Sequence, residues 1–177
     1  DNWIVRVSGG ELPGTDGSAL PYVELLRSGG IIEQKRERKV LRVFDPHVLR
    51  DGDTELVVLP PSGEGLRIRY VPEYPEGVDP KPVVFDTAID DFAKDIAVAR
   101  TFVRAEEVEK LLEAGLGKGA NAENTMVLGG EEAPEMRVTF EPTRHKILDL
   151  LGDLALVGAD LHADIIAVKS GHGLNQG

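Results

Sequence analysis

"EPTRHKILDLLGDLALVG", residues 141–158, is the clearest helix in the chain. Glu141 and Pro142 suit a helix N-terminus, where backbone N–H groups lack partners, and Gly158 is its expected stop. At about 100° per residue, Ile147, Leu148, Leu151, Leu154 and Ala155 gather on one side. His145, Asp149 and Asp153 fall within about 80° of each other on roughly the opposite side. The helix thus offers an apolar face to a core and a narrow stripe of one imidazole and two carboxylates. "HADIIAVKSG" (162–171) follows it as a strand.

Upstream, the signals alternate between strand and helix. "NWIVRV" (2–7) alternates as a half-buried strand does. "ALPYVELLRSGG" (19–30) reads as a short helix with Asp16 or Ser18 as N-cap and Gly29 or Gly30 as stop. The charged run "EQKRERK" (33–39) is the expected domain boundary. "KVLRVF" (39–44), "TELVVL" (54–59), "LRIRYV" (66–71) and "VVFD" (83–86) are strand candidates, separated by turn-rich stretches such as "LRDGD". "AIDDFAKDIAVAR" (88–100) and "AEEVEKLLEAG" (105–115) have helical periodicity, and "NTMVLGG" (124–130) and "MRVTF" (136–140) read as strands. The order predicts an α+β fold with mainly antiparallel strands.

The chain is 41% hydrophobic and 29% charged, as soluble globular proteins are, and its net charge is −11. A surface that acidic argues against a nucleic-acid backbone or an anionic membrane as the main partner. No apolar run approaches the roughly 20 residues of a membrane span. With no cysteine there is no disulfide frame and no thiolate metal site, which fits a reducing compartment; the expected location is cytoplasmic. The chain starts at Asp1, directly in a strand-like run, and is expected to be a fragment or a processed product.

A histidine and a carboxylate one helical turn apart point the same way and can reach one ion, so His145 and Asp149 are candidate metal ligands. Zinc takes such N and O donors. The spacing alone is a weak signal, and no HExxH motif supports a metalloprotease. "KSGHGLN" (169–175) adds His172 between two glycines, suited to proton transfer near neutral pH, with Asp153 a candidate to orient it. "GLGKGA" (115–120) lacks the Lys-Ser/Thr ending of a phosphate loop and follows a helix instead of preceding one. His47 and His162 are read as structural, and Trp3 as a packing residue.

Taken together, "GGELPGTDGSALPYVELL" (9–26), "ARTF" (99–102), "GLGKGANAEN" (115–124), "RHKILDLLGD" (144–153) and "KSGHGLN" resemble, in order, the zinc-dependent UDP-3-O-acyl-N-acetylglucosamine deacetylases of lipid A biosynthesis. The resemblance implies two-layer α/β sandwich domains packed face to face, with Zn2+ in the cleft. Residues 1–36 would be the C-terminal part of an incomplete first domain. Residues 37–177 would be the second, with an insert at about 102–128 forming an acyl-chain passage. It implies deacetylation of a nucleotide-sugar lipid by metal-activated water, the committed step of lipid A synthesis. His145 and Asp149 would be zinc ligands, Thr101 an oxyanion donor, and His172 a protonated group paired with Asp153. Lys146, and with less support Lys169, would face the nucleotide's negative charge, and Phe102 would lie at the mouth of the passage.

Two departures stand out: Val103-Arg104 replaces the Gly-Phe often found after Thr-Phe, and the loop "VPEYPEG" (71–77) differs from the usual pattern. The family's third zinc ligand, a His, and its general base, a Glu, would lie upstream of Asp1, so these 177 residues alone are expected to be inactive. The alternative is a non-catalytic binding or regulatory module that kept the fold.

Overall fold

The computed structural model describes residues 2–10, 12–131 and 134–177. In chain order the elements are α1 (Leu20–Ser28), β1 (Val40–Arg42), β2 (His47–Asp51), β3 (Thr54–Leu59), β4 (Leu66–Val71), β5 (Val83–Asp86) and α2 (Phe92–Asp95). Then come β6 (Thr101–Arg104), a 3-10 turn (Ala105–Glu107), α3 (Val108–Glu113), β7 (Thr125–Leu128), α4 (Glu141–Ala155), β8 (Asp160–Val168) and α5 (His172–Asn175).

β8 is the central strand of the main sheet, whose order is β2-β3-β8-β4-β5, with β1 paired to the first three residues of β8. Alternate residues of a strand share a face. Ala163, Ile165 and Ala167 of β8 are therefore buried with Leu66, Ile68 and Tyr70 of β4, while Arg67 and Arg69 stay exposed. The register sets Ile68 between Ile165 and Phe85. α4 covers this face with Ile147 and Leu150, both fully buried, and Leu148, Leu151 and Leu154 pack at the margin. Each large side chain so buried contributes about 1.5–3 kcal/mol of hydrophobic stabilisation. The result is the expected α+β arrangement, a sheet layer under a helix layer.

A smaller sheet pairs β6 with β7 in parallel. Parallel neighbours cannot be joined by a tight turn, and here the 3-10 turn and α3 make the crossover. This unit is stitched to the loop before α1, since the Thr101 N–H donates to the Gly17 carbonyl at 2.7 Å. Gly17 has φ +78°, and a Cβ built there would lie 1.7 Å from the Asn124 carbonyl oxygen. α1 begins at Leu20 with Ala19 as its N-cap, one residue beyond Ser18 and three beyond Asp16, the two expected caps. Asp16 accepts from the Ser18 N–H and hydroxyl, and the Ser18 hydroxyl accepts from the Leu20 N–H. Gly30, at φ +79°, follows its end as a left-handed stop.

Several expectations fail for identifiable reasons. The strands are not mainly antiparallel: β1–β8, β4–β8 and β6–β7 are parallel, β2–β3, β3–β8 and β4–β5 antiparallel. The long excursion from β4 through β7 and α4 returns to β4's side in the same direction. "NWIVRV" is exposed throughout and pairs with no strand among the described residues. "LRDGD" is strand up to Asp51, with the turn confined to Gly52-Asp53. The helix expected over 88–100 shrinks to Phe92–Asp95. Ile96, Ala97 and Ala99 are all fully buried, in the segment that leads from α2 into β6 at Thr101. "MRVTF" is irregular, its Arg137 being committed to Glu141 and Asp16. On α4, Ala155 is exposed and Asp153 buried, the reverse of the expected faces, because α5 packs on the Asp153 side.

Gly17→Ala is expected to destabilise the chain by more than the ~1 kcal/mol typical of a residue forced to positive φ, because the added Cβ also overlaps main chain. Gly119→Ala, in open space, should stay within about 0.5 kcal/mol of wild type. Urea unfolding of the two variants checks both.

Candidate metal and catalytic site

α4 places His145, Lys146 and Asp149 at the edge of the core, with side chains only 13%, 19% and 18% exposed. The ring of His145 is held from two directions. Its Nδ1–H donates to the Ala99 carbonyl at 3.1 Å. The ring of Phe102 stands edge-on to it, 6.2 Å between centroids, and Tyr74 packs edge-on to Phe102 in turn. With Nδ1 as the donor, Nε2 is left as an acceptor, 3.4 Å from Asp149 Oδ1.

Two acceptors at that separation suit a cation between them. Zinc bond lengths of about 2.0–2.2 Å and a tetrahedral angle put N and O ligands about 3.3–3.5 Å apart. A direct charge-assisted hydrogen bond would be shorter, about 2.7–2.9 Å. The pair therefore fits a metal as two of its donors. Among the described residues no group of three His, Cys, Asp or Glu donors is gathered. Lys146 Nζ donates to Asp149 Oδ2 at 2.9 Å and so neutralises the carboxylate from its other oxygen.

One turn further along α4, Asp153 is buried and collects three donors. His172 Nδ1–H and Asn175 Nδ2 reach Oδ2, both at 2.8 Å, and Gln176 Nε2 reaches Oδ1 at 2.7 Å. Burial pushes the carboxyl pKa up, but the bonds from Gln176, Asn175 and His172 outweigh it and hold the group below its ordinary value. His172 itself is 64% exposed at the start of α5. Its ring is thus anchored at one nitrogen and open at the other side. Asn175 and Gln176 were not singled out from sequence. The i+3 and i+4 spacing from His172 is their only signal, and it becomes readable once "HGLN" is seen as a helical turn.

The other expected residues are placed less centrally. Thr101 opens β6, two residues after the carbonyl that His145 binds. Lys169, at φ +52°, bonds Asp53 and Glu73, each at 2.8 Å, which raises its pKa first through Asp53. Its charge is thereby shared with two surface carboxylates. Arg104 reaches the Glu73 carbonyl at 3.1 Å, so it ties β6 to the loop after β4. Two cavities lie away from these residues: one of about 550 Å³ is at the far end of α4, beside Leu154, Gly158 and His162, and another of about 530 Å³ lies by Asp16, Asn124 and Arg137. Sequence reasoning also missed Arg100 and Glu141, which form a buried ion pair at 2.9 Å.

A family model described as LpxC, UDP-3-O-acyl N-acetylglycosamine deacetylase, matches residues 1–177. Among curated relatives, the UDP-3-O-acyl-N-acetylglucosamine deacetylase of Saccharophagus degradans is 38% identical over 99% of this chain and 59% of its own length. That of Geotalea uraniireducens is 40% identical over 99% of this chain and 58% of its own. That of Chlamydia pneumoniae is 37% identical over 99% and 63%. The chain thus spans about three-fifths of the curated relatives it matches.

The Asp153 cluster gives an acid dependence of known sign. A carboxyl whose folded pKa lies below the unfolded value, near 3.9, stabilises the fold fully above that value. The contribution is lost as pH falls through the lowered folded pKa. Asp153→Asn is expected to be less stable than wild type at about pH 5, with the gap narrowing towards about pH 2.5. Urea midpoints across that range would show no narrowing if the three donors leave the carboxyl unshifted.

Proposed function

The chain belongs to the UDP-3-O-acyl N-acetylglycosamine deacetylase family, and from that premise we propose that the protein hydrolyses the acetamide of a UDP-3-O-acyl-N-acetylglucosamine in lipid A synthesis. His145 and Asp149 would hold a zinc ion, with further donors from outside the described residues. A bound zinc would supply Lewis-acid polarisation of the amide carbonyl and activation of water. The observation that carries the reading is the 3.4 Å approach of His145 Nε2 to Asp149 Oδ1, with Nδ1 already engaged by Ala99.

The chain's own residues then take roles. The Thr101 hydroxyl donates to the carbonyl oxygen as it gains negative charge. His172, fixed by Asp153 through Nδ1, carries a proton to the departing amine from its exposed side. Lys146 balances negative charge beside the ligands. Phe102 offers an apolar wall next to His145, at the entrance to an acyl passage formed by the β6–α3–β7 unit. Residues 1–36 would complete a first domain and 37–177 form a second, in a cytoplasmic enzyme. With two metal donors among the described residues, the 177 residues alone would be inactive, since a site with too few ligands holds its metal weakly.

In the full-length protein, His145→Ala should lose zinc and deacetylase activity together. The affinity loss should exceed the roughly 10- to 100-fold cost of removing a mere orienting partner. A zinc competition assay run beside acetate release decides it. Retention of both would sink the reading, and a wild-type protein that binds the nucleotide sugar without releasing acetate would favour a non-catalytic module.

A further inference from the structure

Glu141 is a carboxylate with no exposed surface, in the first turn of α4 and one turn before His145. Its Oε1 accepts the Arg100 N–H and Nε–H, both at 2.9 Å. Its Oε2 accepts the Arg137 N–H at 2.6 Å and Arg100 Nη2 at 3.2 Å. The remaining reach of Arg100 goes to the Glu135 carbonyl at 2.6 Å. Ion pairs buried this deeply are weak stabilisers, because desolvation offsets most of the attraction. A carboxylate at a helix N-terminus is favourable, but that does not explain which groups it grips.

The Arg100 N–H and the Ala99 carbonyl are the two polar ends of one peptide unit. Glu141 holds the first and His145 Nδ1–H the second. No peptide bond of the chain is cis, so the two groups leave this rigid plane from opposite edges. Residues i and i+4 of one helix therefore clasp a single peptide between them. The charge on Glu141 polarises the peptide and makes its carbonyl a better acceptor.

We propose that Glu141, acting through the 99–100 peptide and supported by Arg100, is the positioning residue that sets the tautomer and orientation of His145. The acceptor character of Nε2 then follows from a partner placed one turn earlier on the same helix. Thr101 begins directly after the clasped peptide, so the same contact sets where β6 starts beside His145. The inference rests on the proposed zinc site only for its consequence, because the tautomer is a property of the metal-free protein.

The test uses full-length protein labelled with 15N-histidine, the His145 ring signals being assigned with His145→Ala. In chelator-treated wild type, the ring should carry its proton on Nδ1, protected from exchange; a ring protonated on Nε2 overturns the proposal without any variant. Glu141→Asp keeps the charge but withdraws the oxygens by one methylene. It should mix the tautomers and weaken zinc binding about 10-fold or more. Glu141→Gln removes the charge that polarises the peptide and sets an NH2 against the Arg137 N–H, so it should shift both readouts in the same direction. A purely structural carboxylate would lower melting temperatures in both variants with tautomer and zinc affinity within two-fold of wild type. That result overturns the proposal. If His145→Ala leaves zinc affinity unchanged, the zinc reading fails instead, and the tautomer still decides the role of Glu141.

Discussion

The Glu141 carboxylate, fully removed from water, is the joint on which three parts of the molecule meet. It binds Arg100 at the entrance to the small β6–β7 sheet and Arg137 in the segment leading into α4. Arg137 in turn pairs with Asp16 in the loop before α1. A buried charge is tolerated only when its lone pairs are filled, and here four donors fill them. Once that constraint is met, residues 99–101 have little freedom. Ala99 must face His145, and the Thr101 N–H must face Gly17.

The larger sheet supplies a different kind of order. β8 is bonded along both edges, so its end, and the turn that follows, have a fixed position relative to α4. Tyr70 reinforces that end by donating its hydroxyl to the Ser170 carbonyl at 2.5 Å. α5 starts two residues later, which brings His172, Asn175 and Gln176 to Asp153. The His145–Asp149 pair and the His172–Asp153 pair are thus built by separate devices that share one helix. Their spacing is set by the helical rise, about 6 Å between Asp149 and Asp153.

Much of this was legible in the sequence because it depends on neighbours along the chain. The period of α4, the alternation of β3, β4 and β8 and the glycine stop of α1 are local patterns, and each produced its element. His145, Asp149 and Asp153 follow from one helix period. The contacts that orient them do not. Arg100 and Glu141 are 41 residues apart, and nothing local marks either as buried. Parallel pairing of β4 with β8 is likewise a property of the return path, not of either strand. "NWIVRV" shows the converse, since alternation gives a strand only where a second strand offers its edge.

A helix bearing two donors defines the direction from which an ion is approached, but direction is not affinity. Each free rotamer of His145 or Asp149 would have to be frozen on binding, at a cost of order 0.5–1.5 kcal/mol per side chain. Here much of that ordering is done in advance. The imidazole is fixed by Ala99 and Phe102, and the carboxylate by Lys146. Preorganisation of this kind accounts for the polar structure invested around these two side chains. The residues that look structural, Arg100, Glu141 and Tyr74, sit one contact behind those that would do chemistry. Tyr74 is also the contact along which the Arg104 tie to the loop after β4 reaches His145. Tyr74 links that loop to Phe102, and Phe102 links it to His145. The Arg104 side chain therefore bears on how the Tyr74–Phe102 aromatic pair beside His145 is held.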